Sequence, residues 1–145
     1  MATPLSSETL HATTVAIEGR AVLIEGGSGA GKSDLALRLL DRGAALVSDD
    51  YTLLHRRGNA LLATAPATIA GKLEVRGLGI IDWPHVEDVP VALVVMLTDD
   101  VERLPADPPS RRIAGVSVPA AEIDPRAASA AIKVELALRR VKGPA

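Results

Sequence analysis

Residues Gly26 to Ser33 read Gly-Gly-Ser-Gly-Ala-Gly-Lys-Ser and satisfy G-x-x-x-x-G-K-[ST] without a mismatch. Each part of that spacing serves anion chemistry. Glycine lets the backbone curl, so that the N–H groups of Gly26, Gly27, Ser28, Gly29, Ala30 and Gly31 turn inward toward a phosphate chain. Lys32 adds a mobile positive charge for the β- and γ-phosphates, and the Ser33 hydroxyl is a hard oxygen of the kind that ligates Mg²⁺. A short strand precedes the motif and a helix follows it, so the positive end of the helix dipole aims at the same anion. That context favours a phosphate-binding loop over a chance glycine turn.

A phosphate loop alone leaves open an ATPase, a small-molecule kinase, a protein kinase or a GTP switch. No Asn-Lys-x-Asp stretch is present to read guanine, which disfavours the last. Asp49 and Asp50 end the apolar segment after the loop helix. A carboxylate delivered there can accept a proton from an attacking hydroxyl. Adjacent acids on an extended chain point opposite ways, so one is expected to face the site and the other to face away. A solvated strand end explains the pair equally well. Asp99 competes, because Val94-Val95-Met96-Leu97-Thr98-Asp99 is similar to the apolar strand whose terminal Asp holds Mg²⁺ in many P-loop NTPases. His11, taken alone, reads as a surface residue before the first strand, and with His55 and His85 it lacks the short regular spacing of a metal site. Glu74 and Arg76 stand beside Gly77-Leu78-Gly79-Ile80-Ile81-Asp82. Glycines two apart permit a kink or a close backbone approach, and the flanking charges point to a site.

These residues need a scaffold, and the composition supplies the material for one. The chain has 145 residues, 48% of them hydrophobic and 23% charged, the balance of one globular domain. A net charge of -2 lacks the basic excess that phosphate-tracking nucleic-acid binders use. Tyr51 and Trp83 are the only aromatics, too few for base stacking. The absence of cysteine excludes disulfides and thiolate chemistry and fits a reducing compartment. No basic segment followed by an apolar one opens the chain, and no apolar run reaches the ~18 residues of a membrane span. The expectation is a cytoplasmic protein bound neither to nucleic acid nor to a membrane.

Ala12 to Ile17 and Ala21 to Glu25 are predicted as a hairpin around Glu18-Gly19. Lys32 to Arg42 is predicted as an amphipathic helix ended by Gly43, with Ala45 to Val47 as a short buried strand after it. Tyr51 to His55 and Ala60 to Ala63 flank the turn Arg56-Arg57-Gly58-Asn59, a second hairpin signal. Val89 to Thr98 lacks alternation and reads as a central strand. Pro105, Pro108 and Pro109 place an exposed loop over Glu102 to Arg112, Ile113 to Val118 reads as one edge strand, and Ala127 to Arg140 as a C-terminal helix.

Together, His11, the phosphate loop, Asp49-Asp50 and Leu73-Glu74-Val75-Arg76-Gly77-Leu78-Gly79-Ile80-Ile81-Asp82 resemble the catalytic domain of bacterial HPr kinase/phosphorylase, of the short alpha-proteobacterial type. The loop is generic; the E-x-R-G-L-G-I-I-D stretch is specific. The likeness is strongest from Leu10 to Asp82 and thins beyond it. It implies an α/β fold, a single P-loop-containing domain of the PEP carboxykinase-like type, with a mixed sheet, a P-loop helix and a C-terminal helix. On that reading residues 1–10 are a loose lead-in and 11–145 the catalytic domain.

The resemblance also implies ATP- and Mg²⁺-dependent phosphorylation of a serine on an HPr-like phosphocarrier, with removal by phosphorolysis using phosphate and yielding pyrophosphate. Gly26 to Ser33 would bind nucleotide, Lys32 would meet the transferred phosphoryl group, and Ser33 and Glu74 would hold the metal. Asp50 resembles the family's general base, Asp49 an assisting acid, His11 its catalytic histidine and Arg103 its active-site arginine. A homo-oligomer, a hexamer in the family, is implied as well. On the residues alone, a small-molecule P-loop kinase or ATPase using Asp99, and a nucleotide-sensing regulator without turnover, stay open.

Overall fold

The computed structural model describes residues 6–103 and 107–141. Along the chain the elements run β1 (Ser7–Leu10), β2 (Ala12–Ile17), β3 (Arg20–Glu25), α1 (Lys32–Asp41), β4 (Ala45–Ser48), β5 (Thr52–Arg57), β6 (Ala60–Thr64), β7 (Lys72–Val75), β8 (Gly79–Asp82), β9 (Val89–Leu97), β10 (Ser110–Ile113), β11 (Val116–Ile123) and α2 (Ala130–Arg140).

The central strands are buried on both faces. In β3, Val22 and Ile24 point to one core and Ala21 and Leu23 to another, and in β9 Leu93 and Val95 oppose Val94 in the same way. Strands covered on both faces carry apolar residues at consecutive positions, which is why these segments show no alternation in sequence. One core lies under the helices, where Leu35, Ala36 and Leu39 of α1 meet Val134 and Leu138 of α2. The other lies between the sheet's opposite face and the outer strands, with Leu54, Leu61, Ile113 and Val118. Arg42, the residue that caps α1, donates to Glu135 of α2 at 2.7 and 3.0 Å and joins the helices at the surface.

The sheet has nine strands in mixed orientation, with the path β1-β5-β6-β9-β3-β2-β4 and β11 branching from β9. The β9 edge is shared: Val89 and Pro90 pair with β6, while Val94 to Leu97 pair with β11. β3, β9 and β11 run parallel. Their carboxyl ends therefore open on one edge, the place where ligands collect in α/β sheets. The helix after the glycine-rich loop ends as predicted, with Gly43 at φ +105 and the Gly43 and Ala44 N–H groups donating to the Leu40 and Leu39 carbonyls.

Four expectations need correction. The predicted loose lead-in over residues 1–10 contains β1, which pairs antiparallel with β5, Ser7 opposite His55 and Leu10 opposite Thr52; residues 1–5 lie outside those described. The strand Ser7-Glu8-Thr9-Leu10 is polar and takes its register from a partner distant in sequence, so its own pattern carries no signal. The predicted edge strand Ile113 to Val118 is instead a hairpin turning at Ala114-Gly115, both with positive φ, and β11 runs on to Ile123. The predicted proline loop correspondingly stops at Pro109, with Leu104 and Pro105 outside the described residues. α2 begins at Ala130 rather than Ala127.

Candidate active site

The glycine-rich loop is pinned at both ends. At its start, Arg111 of β10 forks onto the Glu25 carboxylate at 2.9 and 3.2 Å. Gly26 has no room for a side chain, since a Cβ there would lie 3.0 Å from the Ala30 Cβ and 3.2 Å from that of Leu97. The Ala30 N–H closes onto the Gly27 carbonyl at 3.0 Å, and Ser28 and Gly29 form the exposed tip. At its end, Gly31 takes φ +103 as the N-cap of α1, and no side chain caps the helix. The first-turn N–H groups that a cap would satisfy are left to an anion. Lys32 is 7% exposed, and its Nζ donates to the Gly26 and Gly27 carbonyls at 2.8 and 3.1 Å. The ammonium is thus held inside the curl of its own loop.

Asp49 and Asp50 divide two tasks. Asp49 is 6% exposed, and its Oδ1 accepts the Ser33 hydroxyl at 2.6 Å and the Thr13 hydroxyl at 2.9 Å. Its Oδ2 accepts the Glu74 backbone N–H at 2.9 Å. One carboxylate therefore ties the loop serine, strand β2 and the hairpin β7–β8 together. Asp50 is not on an extended chain. It has φ +69, and the Tyr51 N–H donates to the Asp49 carbonyl at 2.8 Å across it. That i to i+2 bond over a positive φ is the rarer, strained form of γ-turn, and strain of this kind gathers at functional sites. The Ser48 hydroxyl donates to the Tyr51 carbonyl, and the Asp50 N–H to Thr13 Oγ1 at 3.1 Å, closing the turn. The opposite pointing of the two acids comes from this turn, not from strand alternation.

The turn exposes the Asp50 carboxylate and sets it against His11, with Nε2 2.7 Å from Oδ1. An ionised carboxylate only accepts, so the ring N–H donates. The far face of the His11 ring is covered by Tyr51, with centroids 5.0 Å apart and planes 23° from parallel. The isolated histidine is thus a partner of the acid, and the turn brings Tyr51 to it. Sequence reasoning did not single out Thr13 or Tyr51. Thr13 sits in a β-branched strand where a hydroxyl looks like ordinary strand composition, and the stacking depends on the γ-turn.

Glu74 reaches the site by its backbone, and its side chain is exposed. Lys72 and Asp82 pair across the same hairpin, whose tip carries the exposed Leu78 and Ile80. Asp99 and Arg103 follow β9 in the chain, and both are exposed. Among the described residues neither side chain hydrogen-bonds the loop. Of the two competing acids, Asp49 is the one in contact with Ser33.

A further segment borders the loop. Pro125, after β11, packs so that its Cβ would stand 3.4 Å from a Cβ on Gly31. Arg38 of α1 holds this turn, donating to the Pro125 carbonyl at 2.7 Å and the Ala127 carbonyl at 3.3 Å. Within it, Arg126 forks onto Asp124 at 2.9 and 3.1 Å, and its N–H donates to the same carboxylate at 2.9 Å. These bonds lower the Asp124 carboxyl to about 2.

Fold and site together define an α/β domain with a glycine-rich phosphate loop opening its first helix. The family described as HPr Serine kinase C-terminal domain matches residues 4–142, and the chain belongs to that family. It is 36% identical over 127 residues to an HPr kinase/phosphorylase of Chlorobium phaeobacteroides, covering 78% of this chain and 39% of that protein. It is 47% identical over 81 residues to one of Clostridium tetani, covering 55% and 27%. The chain thus spans well under half the length of these curated relatives. Among solved structures it is similar to the Hpr(Ser) kinase/phosphatase from Coxiella burnetii, with a TM-score of 0.80, 31% identity, and coverage of 91% of this chain and 94% of that one.

Proposed function

We propose that this chain is an ATP- and Mg²⁺-dependent protein serine kinase for an HPr-like phosphocarrier, able to run the reverse step as a phosphorolysis and acting as a homo-oligomer. The observation that carries this reading is the chain of bonds Ser33–Asp49–Glu74 N–H, which welds the phosphate loop to the hairpin bearing the family signature. Exposed Leu78 and Ile80 on that hairpin favour a macromolecular acceptor over a small molecule.

The loop N–H groups and Lys32 bind and orient the phosphates of ATP, with Lys32 leaving the Gly26 and Gly27 carbonyls to do so. Ser33 and Asp49 present hard oxygens at one point, a donor set of the kind that would hold Mg²⁺, and Glu74 lies on the strand tied to them. An ion held there would supply positive charge to offset that of the phosphate oxygens. Asp50 accepts the proton of the acceptor serine on its carboxylate as the serine oxygen bonds to the γ-phosphorus and the bond to ADP breaks. His11 holds that carboxylate in place through its 2.7 Å bond. In the reverse direction the same carboxyl returns its proton to the serine oxygen while phosphate attacks, releasing pyrophosphate. Arg103 adds positive charge at the open edge.

The test is incubation of the full chain with Mg-ATP and an HPr-type carrier, followed by mass spectrometry of the carrier. One phosphoserine is expected, lost again on adding excess phosphate, with pyrophosphate released. Tight ATP binding with no phosphoserine would favour the regulator reading instead. Turnover of ATP without a protein acceptor would favour the small-molecule kinase or ATPase.

A further inference from the structure

Three parallel strands deliver their ends to one edge of the sheet. β3 delivers the phosphate loop and β9 delivers Thr98 to Asp100, while β11 delivers Asp124 to Arg126. The third end is built against the first. Pro125 lies 3.4 Å from the Cβ position of Gly31, the Thr98 N–H donates to the Ile123 carbonyl at 3.1 Å, and Arg38 fixes the turn through its Pro125 and Ala127 carbonyls. A rigid turn thus stands beside the phosphate loop with one cationic side chain on it.

That side chain is stored rather than structural. Arg126 is 73% exposed, and among the described residues its guanidinium hydrogen-bonds only Asp124, two residues back, through two parallel N–H to oxygen bonds. Exposed ion pairs between neighbours contribute little to stability, so the pair opens at small cost. The planar fork that fits two carboxylate oxygens fits two phosphate oxygens equally well. With Asp124 lowered to about 2, acidification within the physiological range does not free Arg126, and a competing anion must do so.

We propose that Arg126 is a second polyphosphate-binding cation of this site, held on Asp124 in the free protein and passed to the phosphate chain when that chain fills the loop. The proposal rests on reading Gly26 to Ser33 as a phosphate site. It assigns to the β11–α2 turn a ligand contact that neither composition nor motif spacing indicates.

Calorimetry of Mg-ATP and of Mg-pyrophosphate binding to the full chain tests it. Arg126→Ala is expected to weaken both ligands about tenfold, the size of a lost charge-assisted bond, with an unchanged melting temperature, and Arg126→Lys to weaken them less. Asp124→Asn removes the competing carboxylate, spares Arg126, and is expected to bind both ligands at least as tightly as the wild type. Unchanged affinity in Arg126→Ala, or a loss confined to ATP, overturns the proposal. So does weakened binding in Asp124→Asn, because the pair then matters only as scaffolding for the turn. Failure of the wild-type chain to bind either ligand strikes the phosphate-site reading itself, which keeps the two failures apart.

Discussion

Asp50→Asn is expected to lower serine phosphorylation of the carrier by about a hundred- to ten-thousandfold, while ATP affinity stays within about twofold. The substitution is close to a single-atom test. Asparagine tolerates positive φ as aspartate does, so the γ-turn at φ +69 survives, and its amide oxygen still accepts the His11 N–H. What disappears is the ability to hold the serine proton. A fall in kcat with an unchanged KM for ATP, read from steady-state assays, distinguishes this loss from damage to the phosphate loop. The paired control is Asp99→Asn. Asp99 does not contact Ser33, so that variant is expected to retain activity within a few-fold. If Asp99→Asn abolished turnover and Asp50→Asn did not, the reaction would belong to an ATPase or small-molecule kinase built on the other acid.

The second large effect belongs to Lys32→Ala, which is expected to cost at least about a thousandfold in phosphoryl transfer, the scale of removing one cation from a transferring phosphate. Here ATP binding weakens as well, because the ammonium serves both the bound phosphates and the charge that builds on them during transfer. The structure adds a second cost. Lys32 is buried and ties together the Gly26 and Gly27 carbonyls, so its removal loosens the loop before any ligand arrives. Lys32→Arg does not rescue, since a planar fork lacks the freely rotating three-donor tip that meets both carbonyls from within the curl. Calorimetry with Mg-ATP, run alongside the transfer assay, separates the two costs.

Much of this was legible in the residues because its causes are local. The phosphate loop, the hairpin at Glu18-Gly19 and the helix end at Gly43 each follow from glycine placement within a few positions. The double-sided burial of β3 and β9 follows from their unbroken apolar runs. Other features have causes elsewhere in the chain. The turn at Ala114-Gly115 places an alanine at φ +48, a residue type that gives no turn signal, and its geometry is supported by Glu8 accepting the Ala114 N–H at 2.8 Å. β1 is a polar edge strand whose register comes from β5.

In the site, the types of Asp49 and Asp50 were readable and the resemblance implied separate roles for them, but the contacts that set Asp49 on Ser33 and Asp50 on His11 were not readable. Which acid faces Ser33 depends on a γ-turn held by Thr13 and Ser48 from outside the pair. The Asp124–Arg126 fork was hidden for a similar reason, since an acid and a base two apart look like surface charge until Pro125 is seen against Gly31.

The central claim is that the glycine loop and the Asp50 carboxylate serve one phosphoryl group. Its most direct test is a crystal structure of the full chain with Mg²⁺ and a non-hydrolysable ATP analogue. The γ-phosphorus is expected within about 6 Å of an Asp50 oxygen, the span of one serine hydroxyl placed for attack and hydrogen-bonded to its base. An analogue seated in the loop with its terminal phosphate pointing away from Asp50, beyond the reach of a single intervening hydroxyl, would contradict it.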